Sequence, residues 1–165
     1  MRLKDLRSVW VAAASVLLGA ALGGCVDPID ASAQTGSVAS ISPKSMWRAY
    51  GDFRNAQNAI DGNVHTSAVT GPSYDNAKLT IDLGKRCLFN KITIDQGPDD
   101  EFGFCRRIAV QISNDGVNFY QIYAVSGTRR ITYCLILTPT MARYVRLVAI
   151  VPGDRPWSIA EIFLE

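Results

Sequence analysis

Short apolar runs punctuated by turn residues constrain this chain more than any other feature. Leu79, Ile81 and Leu83 share one face of segment 78–83, which ends at Gly84-Lys85-Arg86. Ile92 and Ile94 do the same in 88–95, and Ile108, Val110 and Ile112 in 107–113, before Asn114-Asp115-Gly116. Segments 119–125, 131–138 (alternating Ile131, Tyr133, Leu135, Leu137), 142–150 (Val145 and Leu147 inward) and 159–164 follow, with Pro139 breaking the run after 138. A period of two turns one face of a strand to a core. No stretch after the first 25 residues sustains the 3.6-residue period of an amphipathic helix. Seven or more short strands at this spacing predict an all-β fold in which two antiparallel sheets pack face to face.

Composition removes several functions. With 48% apolar and 19% charged residues, the chain is not of the disordered class. Seventeen basic residues against fifteen acidic ones lack the basic excess of a nucleic-acid binder. The single histidine, His65, argues against a His-rich metal site and leaves one candidate for a Ser-His-Asp triad. No nucleophile elbow, phosphate loop or zinc motif is present. Asp99-Asp100-Glu101 sits in one loop, which does not set two carboxylates across a substrate as glycoside hydrolysis requires. The expectation is a protein that is not an enzyme.

The first 25 residues form a separate unit. Arg2, Lys4 and Arg7 precede an uncharged apolar run, Val9 to Leu22, then Gly23-Gly24-Cys25. The run is short for a membrane span and has the size of a secretory core region. Leu22-Gly23-Gly24-Cys25 resembles the bacterial lipobox, which implies a signal peptide over 1–24, cleavage before Cys25 and lipidation of its thiol. Val26, rather than Asp, at the second position of the mature chain favours the outer membrane by analogy with Gram-negative sorting. Cleavage would leave 14 charges of each sign and a net charge of zero. Residues 25–37, rich in Ala, Ser, Asp and Gly, read as the lipidated cysteine and a flexible tether, and 38–165 as one domain.

Cys87, Cys105 and Cys134 remain, so at least one thiol is free or pairs between molecules. Export permits a bridge. Free buried thiols and one disulfide both stand at this level, with Cys87–Cys134 the preferred pair.

Five segments resemble the coagulation-factor type C, or discoidin, domain and the family 32 carbohydrate-binding modules. They are Asn58-Ala59-Ile60-Asp61-Gly62-Asn63-Val64-His65-Thr66, Leu79 to Gly84, Val110 to Phe119, Ala142 to Leu147, and Trp157-Ser158-Ile159-Ala160-Glu161-Ile162, in the family's order. The resemblance implies a galactose-binding-like jelly roll. It departs from the family at Ala68, where Trp is usual. It also implies a structural Ca²⁺ ion held by the Asn58 carbonyl, Asp61, Asn63, Thr66, the Ala160 carbonyl and Glu161, an all-oxygen set suited to a hard cation. The bland alternative is that Asp61-Gly62-Asn63 is a plain turn.

Ligand loops in such domains gather at one end of the sandwich, here about 43–55, 67–77, 96–106 and 151–157. Trp157, Tyr74 and Phe104 are the expected aromatic platforms; Arg155, Arg106, Asn76 and Asp99 are the expected polar contacts. Galactose-binding relatives usually carry Arg and Asn in the loop matching 96–106, and often a His near position 76. This chain has Gln96-Gly97-Pro98-Asp99-Asp100-Glu101 and Asn76 instead. The expected function is a membrane-anchored, non-catalytic module in the bacterial cell envelope that recognises a glycan or glycoconjugate. The alternative is a scaffold that binds an envelope protein and has no sugar site.

Overall fold

The structure is a computed structural model that describes residues 40–97 and 103–165. The expected signal peptide, lipidated Cys25 and tether, together with Asp99, lie outside the described residues. Eight strands form in chain order: β1 Arg48–Gly51, β2 Ala68–Val69, β3 Lys78–Asp95, β4 Arg107–Ser113, β5 Tyr120–Ser126, β6 Ile131–Val151, β7 Ser158–Ile159 and β8 Glu161–Leu164. Two short 3₁₀ turns, Lys44–Met46 and Ala56–Ile60, are the helical elements among the described residues.

The architecture is the expected all-β sandwich of antiparallel sheets, built by two long strands that serve both layers. The first half of β3 pairs with β1 and the second half of β6, from Lys78↔Val148 to Asp82↔Tyr144, and β4 and β5 extend that sheet. The second half of β3 pairs with the first half of β6, from Lys91↔Leu135 to Asp95↔Ile131, and with β8. The separate strands expected at 78–83 and 88–95 are thus one strand, and so are those at 131–138 and 142–150. The expected breaks survive as register shifts between Asp82 and Cys87 and between Phe89 and Lys91. At the first, Gly84 takes φ 77°, a left-handed conformation that favours glycine. At the second, residues 136–139, including Pro139, loop out without ladder partners on β3. A small sheet of β2 and β7 closes one end.

The inward residues of both layers meet in one core. Leu79, Ile81, Leu83, Ile108, Val110, Ile112, Val145 and Leu147 pack with Ile92, Ile94, Cys134, Ile162 and Leu164. Three expectations need correction. The alternation in 131–138 was expected to turn one apolar face inward, but Tyr133, Leu135 and Leu137 point outward, and Thr132 and Cys134 are buried. Thr132 is tolerated inside because its hydroxyl accepts a hydrogen bond from the Thr128 N–H at 3.0 Å. The preferred Cys87–Cys134 disulfide is absent: Cys87, Cys105 and Cys134 are all free and buried. Register explains this, because Cys134 faces Ile92 while Cys87 faces Ala142. Five residues of strand, about 16 Å, separate those positions, beyond the ~7 Å that a disulfide spans between Cα atoms. The third correction concerns Trp157 and Tyr74, which lie in the interior.

Candidate functional site: a polar cleft at one end of the sandwich

The start of β4, the end of β6 and the β5–β6 connection converge at the Lys78 end of the first sheet. They enclose a cleft of about 400 Å³ lined by Gly103, Phe104, Arg106, Arg129, Gly153, Asp154 and Arg155. Backbone contacts hold the three segments together. Arg106 N–H donates to the Val151 carbonyl at 2.9 Å, and Gly127 N–H to the Arg106 carbonyl at 3.0 Å. Gly103 N–H donates to the Pro156 carbonyl at 2.8 Å. The chains approach so closely that a Cβ on Gly153 would lie 2.3 Å from the Phe104 carbonyl oxygen. Glycine here is a steric requirement.

Of the expected ligand residues, Phe104, Arg106 and Arg155 come together in this cleft. Arg106 Nη2 lies 2.7 Å from both oxygens of Asp154, an exposed pair. Asn76 is exposed but does not line the cleft; it takes φ 58° and donates Nδ2 to Asp75 at 3.2 Å. Arg129, Gly153 and Asp154 escaped the sequence reading. The turn signal Gly127-Thr128-Arg129-Arg130 marks a loop but not which loop end it joins.

Trp157 is not a platform. It is 0% exposed, its indole N–H donates to Gln96 Oε1 at 3.0 Å, and its ring meets Phe53 edge-on at 5.2 Å. Its backbone N–H donates to Thr70 Oγ1 at 2.8 Å. Tyr74 is buried as well. Its hydroxyl donates to the Phe104 carbonyl at 3.4 Å and accepts the Gly153 N–H, so it fastens the cleft wall from behind. Burial pushes the Tyr74 phenol above its ordinary pKa. Both rings therefore set the shape of the cleft without facing into it, and among the described residues Phe104 is the aromatic side chain on its lining.

The residues expected to hold calcium form a second locus. Thr66 Oγ1 lies 2.7 Å from Asp61 Oδ2 and 2.9 Å from the Asn63 carbonyl, so a carboxylate, a hydroxyl and a carbonyl oxygen converge. That donor chemistry fits a hard cation. Asn63 Oδ1 accepts the His65 N–H at 3.1 Å, and Asn58 Nδ2 donates to the Ser67 carbonyl at 3.3 Å. Glu161 is 0% exposed, and its Oε2 accepts the Gly62 N–H at 2.6 Å. Its other oxygen pairs with the Lys44 ammonium, which stands 4.2 Å above the Phe163 ring. Ala160 N–H donates to the Asp95 carbonyl at 2.8 Å. Glu161 thus ties the 61–66 loop to the last strand through hydrogen bonds, with Lys44 balancing its charge. Among the described residues no three His, Cys, Asp or Glu side chains gather into a metal cluster. A cation at this locus would draw on carbonyl and hydroxyl oxygens beside the two carboxylates.

Cys105, between the lining residues Phe104 and Arg106, and Cys134 are both buried. Cys105 Sγ donates to the Arg107 and Val151 carbonyls at 3.0 and 3.2 Å. Burial pushes the Cys134 thiol up to about 11. Protonated, enclosed thiols of this kind are inert.

Comparison with known proteins agrees with this fold. The sequence profile of the F5/8 type C domain matches residues 37–162. No curated protein matches this sequence. Among solved structures, the fold is similar to CpGH89CBM32-5 of Clostridium perfringens, solved with GalNAc-β-1,3-galactose, at TM-score 0.68 and 23% identity over 74% of this chain and 96% of that one. The family 32 module of C. perfringens NanJ, solved with galactose, is similar at TM-score 0.68 and 23% identity, covering 76% and 97%. A fragment of a putative chitobiase from Bacteroides thetaiotaomicron follows at TM-score 0.65 and 16% identity, covering 74% and 89%.

Proposed function

This chain belongs to the F5/8 type C domain family, and from that premise we propose that it is a non-catalytic carbohydrate-binding module carried on a lipid anchor in the bacterial envelope, at the outer membrane. The cleft of Phe104, Arg106, Arg129, Asp154 and Arg155 supports the reading. It offers one aromatic face and several planar polar groups, the combination that a saccharide needs for its apolar side and its hydroxyls. Among the described residues Asp154 is the carboxylate on that lining, and Arg106 holds it. Stacking on Phe104 and a charge-assisted hydrogen bond, set against the cost of association, give a dissociation constant of roughly 0.1–1 mM for one sugar unit.

A glycan array followed by calorimetry on the hits tests the reading. Binding that Arg106→Ala or Phe104→Ala weakens, with the fold intact, supports it. A second reading, a scaffold for an envelope protein, draws support from the burial of Trp157 and Tyr74, which takes two of the expected aromatic platforms out of the cleft. Absence of glycan binding with capture of a defined envelope protein at the cleft would favour that reading. Lipidation is tested by mass spectrometry: the mature chain begins at an acylated Cys25.

Calcium belongs to the same proposal. Asp61, Asn63 and Thr66 would hold the ion together with Glu161 and the Asn58 and Ala160 carbonyls, and its charge would reinforce the link between the 61–66 loop and β8. The Lys44 ammonium must leave Glu161 for that to happen. Calcium at 100 times its Kd would then raise stability by about 2.7 kcal/mol. A wild-type Tm identical in calcium and in chelator sinks this element.

A further inference from the structure

The buried carboxylate of Glu161 already has a cation beside it. Both of its oxygens are engaged: Oε2 accepts the Gly62 N–H at 2.6 Å, and Oε1 accepts the Ile162 N–H at 3.2 Å and the Lys44 ammonium. Through Gly62 the carboxylate reaches the 61–66 loop, where Asp61 Oδ2, the Thr66 hydroxyl and the Asn63 carbonyl converge. Lys44 Nζ also lies 4.2 Å from the Phe163 ring centre and 5.8 Å from that of Trp47. A carboxylate with no exposed surface is too costly to leave uncompensated. The ammonium therefore supplies, from within the chain, positive charge of the kind that a metal ion would bring to the same oxygen.

The turn that carries Lys44 does not depend on this pair. Met46 N–H donates to the Pro43 carbonyl and Trp47 N–H to the Lys44 carbonyl, both at 2.9 Å. The Trp47 indole N–H donates to the Ser42 carbonyl at 3.0 Å, and Ser42 Oγ donates to the Leu83 carbonyl on β3. The Lys44 side chain is 30% exposed. Its flexible stem can carry the ammonium into water by rotating its own bonds while the turn stays in place.

We propose that Lys44 is an intramolecular competitor for calcium at Glu161: the ammonium holds the carboxylate when the ion is absent and swings into water when the ion takes its place. The inference rests on the calcium reading above. Three consequences follow from charge and connectivity. The fold stands without calcium, because Glu161 is compensated in either state. The apparent affinity for calcium is reduced by the cost of giving up the Lys44 pair, as for any ligand that must select a less populated state. A sodium or potassium ion brings no more charge than the ammonium it would evict and lacks the covalent tether that keeps Lys44 at high effective concentration. A divalent ion brings more charge and engages Asp61 as well, so the competitor selects for divalent ions.

Two measurements on the full chain test this. Calorimetric titration with calcium chloride compares the wild type with Lys44→Met, which keeps the apolar stem and removes the charge. Timed acylation by acetic anhydride, read lysine by lysine by mass spectrometry, follows Lys44 in the wild type. Lys91, also 30% exposed and paired with Glu165, is the matched control. Lys44→Met should bind calcium about tenfold more tightly than the wild type. Saturating calcium should make Lys44 acylate several-fold faster and leave Lys91 unchanged, and sodium chloride at the same ionic strength should move neither. Equal or weaker calcium affinity in the variant overturns the competition and leaves the calcium reading standing, and so does a Lys44 rate that ignores bound calcium. Absence of calcium binding in both chains removes both. Binding by the variant alone upholds the competition and overturns calcium occupancy in the natural chain. If Lys44→Met does not fold, the wild-type acylation decides alone.

Discussion

The two ends of the sandwich are built by different means. At the cleft end, loops are fastened to the interior by buried polar contacts: Trp157 to Gln96 and Thr70, Tyr74 to Gly153 and Phe104, Glu161 to Gly62 and Lys44. At the other end, the 136–139 excursion leaves the ladder, and the 114–118 turn is held by local bonds, with Asp115 Oδ1 accepting the Val117 and Asn118 N–H groups at 2.9 and 2.8 Å. The difference teaches that one β fold can carry a preorganised polar recognition surface and an apolar one without exchanging their roles. Preorganised loops lose less entropy on binding, whereas projecting leucines need no fixed partner.

The strongest challenge to that contrast is Trp157→Ala. The residue is core, so about 4 kcal/mol of stability should be lost, read by denaturant unfolding. A variant that stays stable and loses only ligand binding would return Trp157 to the cleft surface. Next comes Glu161→Gln, which keeps the shape and removes the charge facing Lys44. Breaking a fully enclosed pair costs about 3–5 kcal/mol; Lys44 is 30% exposed, so about 2 kcal/mol is expected, together with loss of any calcium-dependent rise in Tm. Arg106→Ala sharpens the contrast from the functional side. Its partner Asp154 is 85% exposed, so stability should change by less than about 0.5 kcal/mol, while affinity for a glycan falls about tenfold.

A smaller effect depends on pH. The Arg143 guanidinium, bonded to Asp82 at 2.8 and 2.9 Å, holds that carboxyl below its ordinary pKa against the opposing effect of burial. A depressed folded-state pKa contributes stability above the unfolded value, near pH 4, and the contribution is lost as pH falls through the folded value. Arg143→Ala should therefore lower Tm at pH 7, and the deficit should shrink as pH falls below 4. A deficit that persists in acid would assign the loss to packing of Arg143 on the Tyr144 ring, 5.1 Å away. Smallest of all, Leu137→Ser should leave Tm almost unchanged, within about 0.5 kcal/mol, because nothing in the fold packs over that side chain.

What the sequence determined by itself was the class of fold and the inward face of most strands. Alternation at 79–83, 92–94, 108–112 and 145–147 is a local signal with a single solution, since only one face of each run is apolar enough to bury. The cleft was half legible: Phe104, Arg106 and Arg155 lie near segment ends that the strand pattern located, and the end they share follows from antiparallel pairing. Tertiary structure decided the rest. In 131–138 both faces offered a candidate, and pairing with β3 chose Cys134 over Tyr133 and Leu135. The same pairing put Cys87 and Cys134 five residues apart along β3. Trp157 looked like a platform because it lies in a loop, yet Gln96 and Thr70, distant in sequence, satisfy its polar groups and let the indole sink into the core. Arg129 reaches the cleft only because the β5–β6 connection folds beside β4. Periodicity is read along the chain; which faces meet, and which polar groups find partners, depends on contacts between residues far apart in it.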